Sequence, residues 1–324
     1  MARNVKVVVL HLAIRLGSKR YNLKRLQETL SSILSRLSRW EVDAVMLPQY
    51  PLTGPIIGYT PPERVPQTLR SSAERLQPGR GGSGFTVNTL SRLAGEYGVS
   101  IIGGPLVERA GPWMYLSMFY ISDRGIVEGR YRKIILSPEE RRNAIGRGST
   151  VGIFDLPGGF RVGVFADHDI LSSEIFRSFQ LSGVNLLVGT LLPFRGMLLP
   201  VRYESNFMRP EKRVVYTLAE SRSFETGLPL ILVGGIVEDS NGNYMLGYSD
   251  TIVVDPAMGV ISNYTRGVDD PNSHVIVEVD QAQSRPRPCD ESCETAIKAL
   301  CKARMEWSKK KSGSRNPKTG EPEV

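Results

Sequence analysis

Cysteine is scarce in this chain, and where it is missing matters more than how little there is. Only three occur in 324 residues, at Cys289, Cys293 and Cys301, all near the C-terminus. The body can therefore hold no thiol nucleophile, no thiolate metal site and no disulfide framework. Cys293 and Cys301 share a face if they lie on a helix, and three thiols without a nearby histidine make a poor zinc site. They read as core or interface thiols. Long apolar runs are missing too, and none approaches the roughly 20 residues of a membrane span. The opening MARNVKVVVLHLAI has the basic start and apolar stretch of a signal peptide. However, His11 and Arg15 interrupt it and no small-residue cleavage site follows, so it reads as a first strand of a cytoplasmic protein.

A strong charge of one sign is also lacking from the body. The net charge is +8. From Lys302 onward seven basic residues oppose three acidic ones, so half of that charge sits on a short tail. The remainder is too mild to imply a nucleic-acid groove. A solvated tail is the expected role, with RNA or ribosome association through it as the lesser alternative. No repeat occurs at solenoid spacing.

What is present is an ordinary globular composition, 41% hydrophobic and 23% charged, arranged as β-rich runs alternating with helical stretches. VKVVVLHLA (5–13) is a strand. Leu23, Leu26, Leu30, Ile33, Leu34 and Leu37 then recur at helical spacing over 21–39. DAVMLP is a second strand, and TVNTLSRLAGEYG a helix ending at Gly98. Three strands follow, SIIGGPLVE, YLSMFYIS and IVEGRYRKI, and then a hairpin of VGIFDL and RVGVFA turning at Pro157-Gly158-Gly159. VNLLVGT, LPLILVGGI, DTIVVD and HVIVEVD are the remaining strands, with a helix over about 210–224. Residues 1–280 read as one domain. Residues 281–324 read as an extension: Pro-rich, helical over about 291–307, then a basic disordered tail.

The segment VGVFADHDILSSEIFR (162–177) places Asp167-His168-Asp169 where a buried strand should end, with a helix expected behind it, capped by Ser172 or Ser173 and ended at Gly183. Neighbouring side chains on a turn diverge, which argues against a metal site, and no cofactor is implied.

Five segments in order resemble the nitrilase (carbon–nitrogen hydrolase) superfamily. They are the first strand with Asn22-Leu23 opening a long helix and DAVMLPQYPLTG; GRYRKIILSPEE; VGVFADHDILSSEIFR; ESRSFETGLPLILVGG; and GYS (247–249) with DPAMG (255–259). The resemblance implies an α/β fold, a four-layer α-β-β-α sandwich that commonly pairs through the layer holding the nucleophile's helix. It also implies a glutamate base, a lysine that stabilises the oxyanion, and a cysteine that attacks the amide or nitrile carbon. Carried onto this chain, the glutamate's place is taken by Gln49 and the cysteine's by Asp167. Only Lys133 remains. Gln49 cannot accept a proton near neutral pH, and Asp167 is a far weaker nucleophile than a thiolate. The standard thioester route is therefore absent.

The replacements suggest a Lys133–Asp167 ion pair, with Gln49 hydrogen-bonding one or both. Asp169 matches a family aspartate and is expected to order the elbow backbone. His168 replaces an aromatic residue, as a packed or lining side chain. Glu140 is either the extra glutamate that some members place near the site or a solvated charge. Tyr115-Leu116-Ser117 lies where the family often has Tyr-Asn-Ser. The leading expectation is a non-catalytic binding or regulatory subunit that takes a small amide-like ligand and pairs with itself, as a homodimer or larger homo-oligomer, or with an active relative. The alternative is an amide or nitrile hydrolase that uses Asp167 and Lys133 in a changed mechanism.

Overall fold

The computed structural model describes residues 4–36, 42–79, 81–191, 210–239, 241–245, 250–264, 272–280, 284, 286 and 291–313. The chain divides into two compact units, Met1–Pro286 and Arg287–Val324. The first unit begins β1 (Asn4–Arg15), α1 (Lys19–Leu34), β2 (Ala44–Met46), α2 (Val65–Ser72), α3 (Phe85–Tyr97). It continues β3 (Ser100–Ala110), β4 (Trp113–Ile121), β5 (Val127–Arg132), α4 (Pro138–Arg142), β6 (Ile145–Gly146), β7 (Gly152–Asp155), β8 (Arg161–Ala166). Then come α5 (Ser173–Leu181), β9 (Leu186–Thr190), α6 (Pro210–Thr226), β10 (Leu230–Val233), β11 (Ile236–Glu238), β12 (Tyr244–Met245), β13 (Thr251–Asp255), β14 (Gly259–Tyr264) and β15 (Asn272–Asp280). The second unit carries α7 (Glu291–Gly313).

Among the described residues, nine strands form one sheet. Its order is β12-β11-β1-β2-β3-β4-β5, with β15 also on β1 and β6 on β4. Six strands form a second sheet, β14-β13-β10-β9-β8-β7. The two-residue period of β1 shows how they stack. Val5, Val7 and Val9 point into a core shared with Val162, Val164 and Ala166 of β8 and Leu186 and Val188 of β9. Val8, Leu10 and Leu12 point the other way, onto Leu26, Leu30 and Ile33 of α1 and Leu90 and Leu93 of α3. The outer face of the second sheet carries Phe165, Leu187 and Leu230 against Phe176 and Phe179 of α5 and Val215 and Ala219 of α6. The result is the expected α-β-β-α sandwich. Each fully buried Leu, Val or Phe in these layers stabilises the fold by about 1.5–3 kcal/mol.

Two glycines are set by this packing. A Cβ on Gly163 would stand 2.8 Å from the Phe179 ring, and one on Gly189 2.2 Å from Phe165. Both strands must stay bare for the aromatic side chains to lie flat on the sheet.

The sequence reading departs from the structure in several places. LPLILVGGI is two strands, not one. It breaks at Gly234-Gly235, so that β10 lies in the second sheet and β11 pairs with β1 in the first. An unbroken apolar run carries no signal for such a crossing except its paired glycines. The helix read over 21–39 ends at Leu34, and residues 37–41 lie outside the described residues. The helix read over 291–307 is found over Glu291–Gly313. Cys301 is exposed on it, which overturns the core alternative of the core-or-interface reading. The expectations for GYS (247–249) and for the tail beyond residue 313 fall outside the described residues. Among the described residues, no helix is long and apolar enough to cross a membrane.

Candidate active site

Gln49, Lys133 and Asp167 all stand just past the ends of strands, and strand direction explains why they meet. β1, β2 and β3 are parallel. Two antiparallel steps, β3 to β4 and β4 to β5, bring β5 back to the same direction. In the other sheet β8, β9 and β10 are parallel. Gln49 follows β2, Lys133 follows β5, Asp167 follows β8, and Thr190 ends β9. The carboxyl ends of strands from both sheets thus converge, the usual place for a site in such folds.

The chain turns sharply at Asp167, whose φ of 46° is left-handed, an uncommon conformation for a residue other than glycine. Its Oδ1 accepts from Gln49 Nε2 at 2.7 Å, and its Oδ2 lies 3.3 Å from Lys133 Nζ. Gln49 Nε2 also lies 3.2 Å from Thr190 Oγ1. The Lys133–Asp167 pair is present, but it is not the shorter ionic contact. Lys133 Nζ donates to Glu140 Oε1 at 2.7 Å. Gln49 bonds the carboxylate and the threonine. Lys133 and Asp167 are 1% and 2% exposed and Glu140 3%, so the solvated reading of Glu140 is overturned.

The reason lies in SPEE. Ser137 caps α4: its Oγ accepts from Glu140 N, and Glu140 Oε2 accepts from Ser137 N at 2.7 Å. This is a capping box, with Pro138 in the first turn. It turns the Glu140 carboxylate back toward the strand end, where the oxygen left over meets Lys133. Ser-x-x-Glu was legible in the sequence and was the signal that could have placed Glu140.

Asp169 acts as the brace its position suggested. It accepts from Tyr131 OH at 2.7 Å, from Ile135 N at 2.8 Å, from Ala166 N at 3.0 Å and from Ile134 N at 3.2 Å. It thereby ties the residues after Lys133 to the residue before Asp167. Burial pushes its carboxyl up to about 6, against the opposing pull of Lys133 and of these donors. Tyr131, buried beside it, is held well above the ordinary tyrosine value. His168 is buried. Asp167 and Asp169 face different partners, so the Asp-His-Asp run does not converge on one point. Leu116 packs with Tyr50, Leu136 and Ile145 beside the site, and its carbonyl accepts from Lys133 N at 2.8 Å. Ser117 Oγ donates instead to Glu108.

The helix behind the elbow begins where expected, with Ser172 at its N-cap position, but the chain reaches it through an extra turn. Asp167–Leu171 form a short 3-10 turn, and α5 starts at Ser173. Ser172 Oγ bonds the Glu174 side chain rather than a backbone N–H of α5. The full dipole of α5 is therefore not directly behind Asp167.

Burial opposes a charge on Lys133, yet the carboxylates of Asp167, Glu140 and Asp169 together hold its ammonium above the ordinary lysine value. Burial, then the charges of Asp167 and Glu140, raises the Tyr50 phenol. Tyr59 is pushed up to about 12 by burial and then by Asp167. Both tyrosines therefore stay neutral. Neither they nor Thr190 were singled out from the sequence. Tyrosine and threonine in an apolar context carry no local signal of a site; only the convergence of strand ends reveals them.

The family model for carbon–nitrogen hydrolases matches residues 6–288. This chain belongs to the carbon–nitrogen hydrolase family. The probable nitrilase C965.09 of Schizosaccharomyces pombe is 27% identical over 207 residues, which are 62% of this chain and 68% of that protein. Among solved structures, Nit3 of Saccharomyces cerevisiae, a member of branch 10 of the nitrilase superfamily, aligns with a TM-score of 0.66 at 18% identity, covering 86% of this chain and 90% of Nit3. A double mutant of the amidase from Nesterenkonia sp. AN1, glutamate to glutamine and cysteine to alanine, in complex with acrylamide, aligns at 0.61 and 16% identity, covering 86% and 92%. At such identities the structural likenesses concern the carbon–nitrogen hydrolase fold alone.

Proposed function

We propose that this chain is a carbon–nitrogen hydrolase-family protein that has left the thioester chemistry and serves as a binding or regulatory subunit. The observation that carries the reading is the occupation of Asp167. The side chain at the elbow spends one oxygen on Gln49 and the other on Lys133, while Lys133 is drawn most closely to Glu140. A nucleophile would need an oxygen turned toward substrate and a base beside it. Gln49 is no base. A lysine held between two carboxylates is poorly placed to meet a developing oxyanion. The Nesterenkonia amidase supports the idea that such a pocket can still receive an amide, since its glutamine- and alanine-bearing double mutant was obtained with acrylamide. On this reading the ligand is a small amide-like molecule, and the partner is a second copy of the chain or an active relative.

A second reading rests on the left-handed φ at Asp167, a strain that a purely structural aspartate does not need. Asp167 would attack an activated carbonyl and expel its leaving group, giving an anhydride that water then hydrolyses, with Lys133 as oxyanion partner and Glu140 as the nearby carboxylate. The resulting anhydride is hard to form from an unactivated amide. The discriminating experiment is the double substitution Gln49→Glu with Asp167→Cys. Amidase activity gained by that variant, above an inactive parent, supports a retained pocket with lost chemistry. A folded but inert double variant counts against it.

A further inference from the structure

A cavity of about 350 Å3 shares no lining residue with the strand-end site; Arg75, Gln77, Glu108, Arg109, Gly111 and Arg130 are among the residues that line it. Its walls are fixed by backbone pairing. Arg109 N donates to Glu74 O at 2.7 Å, and Glu74 N to Val107 O at 2.9 Å, so the segment around Arg75 runs beside the end of β3. Gly79 and Val127 pair in both directions and anchor the same segment to β5. Arg130 spans the gap, donating to Leu76 O and to Glu108 Oε1, both at 3.1 Å.

The charge here is not balanced. Glu108 is buried, and its carboxylate is already shared: Arg132 donates to it at 2.6 and 2.8 Å, and Ser117 at 2.6 Å. Burial works against its ionisation, but these bonds and the two guanidiniums hold its carboxyl below the ordinary glutamate value. One carboxylate thus answers Arg130 and Arg132. Arg75 and Arg109 line the same cavity, and among the described residues neither forms an ion pair. Two uncompensated guanidiniums in one concavity, with the Gln77 amide beside them, match a dianionic oxyanion. Arginine presents a planar fork to phosphate, which makes two such groups a natural clamp.

We propose that this cavity is a binding site for the phosphate group of a small metabolite. It is independent of how the triad positions are read. The concave shape and its volume favour a small molecule over a nucleic-acid backbone, which would follow an open basic stripe.

The test is titration calorimetry of the full chain with AMP, with adenosine and inorganic phosphate as comparisons. The expected result is binding of AMP and phosphate but not adenosine, weakening as salt rises. Arg75→Gln with Arg109→Gln should weaken AMP binding at least about tenfold, since it removes two charge-assisted contacts. Both side chains are exposed, so the variant should keep the wild-type melting temperature. Lys24→Gln with Arg92→Gln, which removes the same charge elsewhere, should change affinity less than about twofold if the effect is local. Absence of AMP binding, or equal loss in both variants, overturns the proposal. Tighter binding of a single-stranded RNA decamer than of AMP through Arg75 and Arg109 overturns the small-molecule assignment.

Discussion

Replacing Lys133 by methionine tests the charge arrangement directly, because it keeps an unbranched apolar stem, one atom shorter, and removes the cation. In the wild type the ammonium stands 2.7 Å from one carboxylate and 3.3 Å from another, with all three groups buried. At an effective dielectric of 20 each contact is worth about 5–6 kcal/mol of gross attraction. Most of that offsets the desolvation of the three ions, so the net gain over an apolar core is small. Removing one partner is a different matter, since Glu140 and Asp167 stay buried without it. The expected loss is about 3–5 kcal/mol, toward the upper end because two anions are stranded. Urea denaturation at pH 7 reads this. The triple variant Lys133→Met, Asp167→Leu, Glu140→Gln should return to within about 1–2 kcal/mol of wild type. A loss below about 1 kcal/mol for the single variant would refute the reasoning, since that is the range of solvated surface pairs.

Asp169 gives a prediction with a sign. Its carboxyl is raised to about 6 in the fold, so the folded state binds more protons than the unfolded chain between about pH 4 and 6. Its contribution to stability is therefore greatest in acid and is lost as pH rises through 6, by about 3 kcal/mol at most. Measured as wild type minus Asp169→Asn across pH 4 to 7, the difference should move against the wild type, and a flat difference would contradict the shift. Gln49→Ala should cost about 1–3 kcal/mol in the same denaturation assay, because it removes a 2.7 Å hydrogen bond from a buried amide to a buried carboxylate. Gly148→Ala should also destabilise, by about 1–3 kcal/mol, because a Cβ there would lie 1.9 Å from the carbonyl oxygen of Arg132, directly before Lys133. An unchanged melting curve would show that this loop moves freely.

The layers were legible because they rest on periodicity. Val5, Val7 and Val9 against Val8, Leu10 and Leu12 show a strand buried on both faces, and Leu26, Leu30 and Ile33 show a helix buried on one. What periodicity cannot show is where a buried run changes sheets, as LPLILVGGI does at its paired glycines. The site was legible in its three strand-end positions, which the family resemblance located. Its energetics were not. The family positions pair Lys133 with Asp167, whereas the shorter contact comes from Glu140, aimed by a capping box seven residues on. Thr190 sits opposite Gln49 only because β9 lies beside β8, a neighbour relation no local pattern contains. Arg75 and Arg109, brought into one cavity by a backbone bridge, escaped notice for the same reason.

The central claim is that Gln49 and Asp167 leave this member of the family without its hydrolytic chemistry. Ammonia release by the purified wild-type chain, over a broad panel of amides and nitriles and beside Asp167→Asn, tests it most directly. The account predicts no turnover above the uncatalysed rate for either protein. Turnover by the wild type that disappears in Asp167→Asn would contradict it, and would make the elbow aspartate a nucleophile or base in its own right.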